Sequence, residues 1–321
     1  MDASAESDRL LVQTDSQNNV EATTMTAKAL GSRKARLLTW KEIEPWQRDN
    51  EFILTGYRHA SSSFSRSIKS ILAVHNETAN IWSHLIGAVQ FLVGLVNFIR
   101  LRSFAGEAGS RSSDIVAVSV YYLCVVVCFV LSTIFHTFAD HSADMHRFGN
   151  ELDHLGIVLV MWGTGVSGVH FAFYCQPGLQ MLYHIALTAT AIGCGVFTMR
   201  PKFRQPTYRT MRFLMYCFLG SSLFAPVLHG WSRFGLAALD DMMGLKSFLG
   251  LALINFSGAA LYAARIPERW FPGTFDLLGQ SHNLMHILVF TGALVRLNGL
   301  LEVIGRWQQD TLANGLCKSI N

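Results

Sequence analysis

The stretch Gly279–Leu300, "GQSHNLMHILVFTGALVRLNGL", decides the fold of this chain. After its first residues it is apolar over roughly the 20 residues that an α-helix needs to cross the hydrocarbon of a bilayer. Its head nevertheless carries His282 and His286, and ionisable side chains inside a membrane mark candidate functional sites. The stretch therefore predicts a membrane-spanning helix and requires partners for its two imidazoles.

The composition of the whole chain is typical of a membrane protein. Of its 321 residues, 50% are hydrophobic and 15% charged, and the mean hydropathy is +0.29. The net charge of +4 comes from Lys and Arg beside apolar runs, which indicates lipid headgroups and no nucleic acid as partners. The six cysteines lie mostly inside apolar runs and form no CxxC pair. This pattern predicts neither a disulfide framework nor a thiolate metal site.

Seven apolar runs predict an all-α integral membrane protein, a seven-transmembrane helix bundle. The runs are continuous rather than alternating, and barrel strands would be about half as long. Before them, residues 1–30 are polar and predict a disordered tail, and residues 31–75 predict a juxtamembrane surface segment. The membrane domain is placed at 76–302 and a short outer tail at 303–321. The predicted spans are Ala79–Ile99, Ile115–His136, Asp153–Tyr174, Leu179–Thr198, Phe213–Trp231, Ser247–Ala264 and Ser281–Leu301.

Charges near the span ends predict the orientation of the bundle. With seven spans the two termini lie on opposite sides, and the side of the N-terminus has 11 Lys and Arg near the membrane against 7 on the other side. The loop "MRPKFRQPTYRTMR", Met199–Arg212, supplies much of this excess. Because cytoplasmic loops are enriched in Lys and Arg, the N-terminus is predicted to be cytosolic and the C-terminus outside.

This topology places polar residues from three spans at one depth. The second span ends near the cytosolic side with Ser132 and His136, and the third span starts there with Asp153. The seventh span also starts there, with His282 and His286 in its first turns. The sequence thus predicts that three histidines, an aspartate and a serine share one layer of the membrane.

The spacing of these residues predicts a metal site. His282 and His286 are i and i+4, so both project from one helix face, as do Ser132 and His136. Three histidines with a water form the open tetrahedral arrangement of a catalytic zinc. Asn283 stands where an HExxH protease needs glutamate, which excludes that class. The other intramembrane histidines are predicted to be packing residues, and Arg296 is predicted to snorkel to the headgroups; these histidines are His84, His170, His184 and His229.

Several stretches resemble the signatures of the progestin and adipoQ receptor family, which includes adiponectin receptors, fungal zinc-homeostasis proteins and, more distantly, haemolysin III-like proteins. They are "WQRDNEFILTGYR", "SILAVHNETANIWSHLIG", "STIFHTFADHS", "LDHLGIVLVMWG" and "ARIPERWFPGTFDLLGQSHNLMH", and they cover about 39–301. The resemblance implies seven helices, a cytosolic N-terminus and a zinc ion near the inner leaflet. The family's ligands fall on His136, His282 and His286, its aspartate on Asp153 and its serine on Ser132.

The resemblance also implies a function. A ceramidase-like, zinc-dependent hydrolase of lipid amides is expected, linked to lipid and zinc homeostasis. In it Asp153 orients or deprotonates water, and Ser132 holds the water or the substrate oxygen. The expected partners are membrane lipids, including ceramide, and an extracellular protein ligand. The plasma membrane is favoured over an endomembrane. The alternatives are a non-enzymatic receptor or regulator with a structural zinc, and a channel or transporter.

Overall fold

The computed structural model describes residues 36–104, 112–200, 209–313 and 317. The predicted disordered tail, 1–30, and most of the basic loop after Met199 lie outside these residues. Within them the chain is helical, and the only β-structure is an isolated antiparallel bridge between Leu38 and Tyr57. The helices are a short 3-10 turn, Pro45–Gln47, and α1 Phe64–Ser70, α2 Thr78–Phe104, α3 Ser112–Phe138, α4 Ala143–Ala172, α5 Pro177–Met199, α6 Arg209–Ser222, α7 Phe224–Phe234, α8 Leu236–Met243, α9 Leu245–Ala264 and α10 Ser281–Ala313.

Seven helical segments of the described chain are long and apolar enough to cross a membrane, as the sequence predicts. Six of them are single helices, and the fifth, Leu214–Phe234, joins α6 and α7 across a break at Leu223. Consecutive helices pack together, and α10 packs against α9, α2 and α3. This closure brings the first, second and seventh spans side by side. The chain is therefore an integral, multi-pass membrane protein.

A row of glycines lets α3 and α4 approach closely. Gly149, Gly156 and Gly163 recur every seven residues on α4 and face α3. A Cβ atom at Gly156 would come within 2.9 Å of the Cα of Cys128, too close for any side chain. Cys124 and Cys128 are buried free thiols in this contact, in agreement with their apolar surroundings. The close contact fixes the position of α4 relative to the end of α3 that carries His136.

The prediction that Arg296 snorkels to the headgroups is wrong. Its side chain is fully buried in the bundle. One guanidinium nitrogen donates to the carbonyl oxygens of Met243 at 2.9 Å and Gly244 at 3.2 Å and to Ser247 Oγ at 3.0 Å. These carbonyls end α8, where the helix dipole attracts a cation. Arg296 therefore joins α10 to the junction of α8 and α9.

The cysteines also depart from the prediction of no disulfide framework, because Cys175 and Cys317 form a disulfide. Cys175 follows α4 and Cys317 follows α10, so both lie at the end of the bundle opposite to His136, His282 and His286. The bond spans 142 residues and ties the third span to the C-terminal region. The end of the bundle that bears this bond is called the disulfide end, and the opposite end, where α3 stops and α10 starts, the histidine end.

Residues 36–63 form a strap across the histidine end. The backbone N–H groups of Leu54 and Thr55 donate to the Asp276 carboxylate at 2.9 and 2.8 Å. The Asn50 amide donates to buried Glu268 at 3.0 Å, and Glu268 in turn accepts from Ser281 N at the start of α10. The predicted surface segment is thus held by buried carboxylates of the connection between α9 and α10.

Candidate metal centre

Three histidines meet at the histidine end. His136 lies in the last turn of α3, and His282 and His286 lie in the first two turns of α10. Their ring centroids form a nearly equilateral triangle, with separations of 5.0, 4.8 and 4.9 Å. One ring nitrogen from each lies within 4.8 Å of the others. The ligand nitrogens of a tetrahedral zinc are roughly 3.4 Å apart, so small side-chain rotations let the triad hold one metal ion.

The hydrogen bonds of His136 fit a metal ligand. Its Nδ1 lies 2.7 Å from Oε2 of Glu77, which immediately precedes α2. Its Nε2 is buried and has no hydrogen-bond partner among the described residues. A histidine that binds a metal through one nitrogen commonly donates the other N–H to a carboxylate. The residues present therefore fit a metal at the Nε2 side of His136.

Glu77 is the residue that the sequence reasoning missed. Burial raises the pKa of its carboxyl, but attraction to His136 and hydrogen bonds from His136 and Asn80 outweigh this, so the pKa lies well below its usual range. Oε2 of Glu77 therefore lies where it can accept hydrogen bonds from both His136 and Asn80. The signal that could have found it is its position directly before the first span, at the same depth as the other polar residues.

Two hydrogen-bonded asparagine side chains link Glu77 to α10, the helix that carries His282 and His286. Asn80 Nδ2 donates to Glu77 Oε2 at 2.7 Å, and Asn283 Nδ2 donates to Asn80 Oδ1 at 2.7 Å. The Oδ1 of Asn283 accepts from Gly279 N at 3.0 Å. Asn283, which stands in the place of a protease glutamate, thus has an observed role in tying α10 to α2.

Backbone contacts hold Glu77 in place from the other side. The N–H of Glu77 donates to Nδ1 of His75 at 3.1 Å, and Nε2 of His75 contacts the Ser70 carbonyl at 3.1 Å. Burial, followed by the nearby Arg58 cation, lowers the pKa of His75 to about 4. His75 is therefore neutral at physiological pH, which matches the pattern of one accepting and one donating ring nitrogen.

The two other predicted site residues have different surroundings. Ser132 lies one turn before His136, and its Oγ is buried without a hydrogen-bond partner among the described residues. Asp153 is half-buried on α4, four residues after Gly149 and three before Gly156, which places it on the face towards α3. It is near enough to interact electrostatically with His282. The structure brings both residues to the histidine end.

The remaining intramembrane histidines differ from one another. Three have partners that suit packing residues: His170 pairs with Asp114, His184 contacts the Val166 carbonyl, and His229 contacts the Tyr183 hydroxyl. His84 instead stacks on His286, with ring centroids 3.8 Å apart, and on Phe129 at 4.5 Å. Neither of its ring nitrogens has a hydrogen-bond partner among the described residues. His84 therefore packs directly behind the triad.

A cavity of about 450 Å³ lies between the triad and the strap. His136, His282 and Glu77 form part of its wall, and residues of the strap and of α4 form most of the remainder. The wall is rich in polar and charged groups, including Arg48, Asp49, Asn50, Arg147, Asn150 and Gln280. The triad is thus buried within the helices on one side and faces a polar chamber on the other.

The strap is joined directly to a histidine of the triad. The Arg58 guanidinium donates to the carbonyl oxygens of His136 at 2.7 Å and Thr137 at 2.9 Å, and it lies 3.5 Å from the Asp140 carboxylate. These carbonyls are at the C-terminal end of α3, where a cation is favourable. The strap therefore restrains the helix end that carries His136.

Together the fold and the site define a seven-helix membrane protein with three histidines that could hold a metal. The model of the family "Haemolysin-III related" matches residues 72–297. The chain is 34% identical over 268 residues to "ADIPOR-like receptor IZH2" of Saccharomyces cerevisiae, with 83% of this chain and 84% of the yeast protein covered. It is 31% identical over 258 residues to human "Progestin and adipoQ receptor family member 3", with 80% and 82% covered.

"Adiponectin receptor protein" of Drosophila melanogaster is 33% identical over 264 residues, with 82% of this chain covered. The match spans only 59% of the fly protein, so the chain corresponds to part of that relative. The chain belongs to the haemolysin III and progestin and adipoQ receptor family. This membership confirms the resemblance found in the sequence and the class of seven-helix, receptor-like membrane protein.

Proposed function

We propose that this protein is a zinc-dependent hydrolase of lipid amides, with ceramide as its substrate class. The observation that supports this most is the triad of buried His136 and His286 with half-buried His282, beside a polar chamber. Three imidazoles suit zinc, and a site with three protein ligands keeps a fourth position open. A bound zinc ion would supply a Lewis acid that acidifies a water and polarises an amide carbonyl.

The surroundings of the triad favour a lipid over a soluble substrate. His136 and His286 are buried within spans that are apolar enough to cross a membrane. A lipid amide could reach these two histidines with its hydrocarbon chains lying between the helices. Its polar headgroup would then face the chamber under the strap. Asp153 would accept a proton from the attacking water, and Ser132 Oγ would donate to the substrate oxygen. These two roles rest on the positions of the residues at the histidine end.

The test is hydrolysis of ceramide by the purified protein in lipid nanodiscs. Release of fatty acid is expected from the zinc-loaded protein and is expected to fall to background after a chelator removes the metal. Adding zinc back should restore it, which controls for damage by the chelator. Hydrolysis that persists after complete metal removal, or no hydrolysis with full metal loading, would contradict the proposal.

The second candidate function is a receptor or regulator with a structural zinc, and the helices that supply the proposed ligands favour it. The proposed ligands come from α3 and α10, and Glu77 precedes α2, so a metal at this point would tie three spans together. Several relatives are also named as receptors. A receptor or regulator with a structural zinc would show the same metal binding and no turnover. An extracellular protein ligand would belong to this function.

We also propose that the histidine end faces the cytosol. The excess of cations on that side supports this orientation, and so does the disulfide between Cys175 and Cys317 at the other end, because disulfides persist in oxidising compartments. The cytosolic N-terminus, the plasma membrane and the removal of ceramide from its inner leaflet are consistent parts of this proposal.

The orientation can be tested with a membrane-impermeant maleimide on sealed microsomes whose cytosolic face is outward. In a Cys175→Ser variant, Cys317 is expected to react only after detergent opens the vesicles, as read by peptide mass spectrometry. A cysteine placed at exposed Ser65 of α1 serves as the control and should react without detergent. The reverse pattern of labelling would invert the topology.

A further inference from the structure

We propose that Glu77 is a positioning residue for metal binding, which holds His136 in the tautomer and orientation that present Nε2 to a metal. This inference rests on the proposed zinc triad. It starts from the 2.7 Å contact between Glu77 Oε2 and His136 Nδ1. It concerns a residue that the spacing of the histidines does not indicate, since Glu77 lies 59 residues before His136.

The tautomer follows from the chemistry of the contact. Oε2 of Glu77 already accepts from Asn80 Nδ2, so it is also the acceptor in the 2.7 Å contact with His136, which carries its proton on Nδ1. The Nε2 atom of the neutral ring then holds the lone pair that a metal requires. Since this atom is buried and no described residue donates to it, its direction is set by the contact on the other side of the ring.

The carboxylate itself is held from several directions. Asn80 donates to the same oxygen that contacts His136, and Asn283 in turn holds Asn80. The Glu77 N–H is bound to His75. Because Asn283 is the neighbour of His282, the network sets the distance between the helix of His136 and the helix of the other two ligands. Glu77 thus fixes the ring of His136 relative to its partners.

A second carboxylate–histidine pair provides a matched control. At the disulfide end, Asp114 Oδ1 lies 2.8 Å from His170 Nε2, with both side chains buried. This pair has the same chemistry as Glu77 and His136, yet it lies far along the bundle from the triad. Replacing Asp114 therefore shows the effect of losing a buried carboxylate–imidazole contact that is remote from the triad.

The experiment measures the zinc affinity of the full chain in nanodiscs by competition with a fluorescent chelator. Glu77→Ala is expected to weaken affinity by roughly 10- to 100-fold, the usual cost of losing the outer partner of a metal-bound histidine. Glu77→Gln keeps an acceptor oxygen and should recover part of this loss. Asp114→Asn should bind zinc within about twofold of the wild type, since it lies outside the network.

Cobalt substitution gives a second measurement, because the visible absorption of bound Co²⁺ reports ligand geometry. The spectrum is expected to change in Glu77→Ala, to return towards the wild type in Glu77→Gln, and to stay unchanged in Asp114→Asn. Wild-type zinc affinity and spectrum in Glu77→Ala would overturn the inference, as would an equal loss of zinc in Asp114→Asn. If the affinities shift as expected while ceramide is not hydrolysed, the inference stands and only the proposed hydrolase fails.

Discussion

Alanine in place of His136, His282 or His286 is expected to lower the affinity for zinc by more than about 100-fold, beyond the loss expected for an outer partner. Two remaining imidazoles cannot complete the three-ligand frame of a tetrahedral zinc. The measurement is the metal content of each purified variant by plasma mass spectrometry, combined with chelator competition. All three variants should lose zinc, because each ring contributes one nitrogen to the cluster.

The matched controls are His184→Ala and His229→Ala. Both residues are half-buried in membrane-spanning helices, and their ring nitrogens contact the Val166 carbonyl and the Tyr183 hydroxyl. Neither belongs to the triad, so both variants should keep the zinc content of the wild type. If these two variants lose zinc and the three triad variants keep it, the assigned site is wrong.

Alanine at Asp153 is expected to leave zinc in place and to reduce ceramide turnover by at least about 100-fold, a typical contribution of a general base. The carboxylate lies on the α3-facing side of α4 and interacts with His282, but it does not belong to the histidine cluster. The measurement is kcat for fatty acid release, together with the zinc content of the same preparation. Loss of turnover with full zinc loading would separate the proton transfer from metal binding.

Asp144→Asn is the control for this variant. Asp144 lies on the same helix, and its side chain is 91% exposed and paired with Arg147. Asp144→Asn removes one negative charge from α4, as Asp153→Ala does, but it does so at the protein surface. Turnover in Asp144→Asn should therefore match the wild type. Wild-type turnover in Asp153→Ala would exclude it as the base, and a wild type that binds zinc without turnover would favour the receptor with a structural metal.

The helices were predictable because their cause is local. Each span is a continuous apolar run of sufficient length, and a bilayer leaves helices as the only way to satisfy the backbone of such runs. The depth of the histidines followed from the order of the spans, since four crossings, an even number, separate the end of α3 from the start of α10 and place both on the same side of the membrane. The spacing of His282 and His286 added that both face one direction.

The environment of Arg296 and the disulfide could not be predicted from the sequence, because both depend on which helices are neighbours in the bundle. The sequence places Arg296 near the end of a span predicted to stop at Leu301, but α10 continues to Ala313, and the end of α8 supplies the acceptors. Cys175 and Cys317 look unrelated until the third span and the chain after α10 are brought together. In both cases the partner is distant in sequence and is chosen by the packing of the bundle.

The sequence by itself thus determined the class of protein and the seven helices, since hydrophobicity and helical spacing are properties of a single stretch. It also predicted one polar layer of Ser132, His136, Asp153, His282 and His286. Only the tertiary structure decided that α10 closes on α2 and α3. The tertiary structure also placed Glu77, at the start of α2, against His136, at the end of α3, and the strap over the chamber. The physical reason is that hydrogen bonds and side-chain packing act over a few ångströms in space, whatever the separation of the residues along the chain.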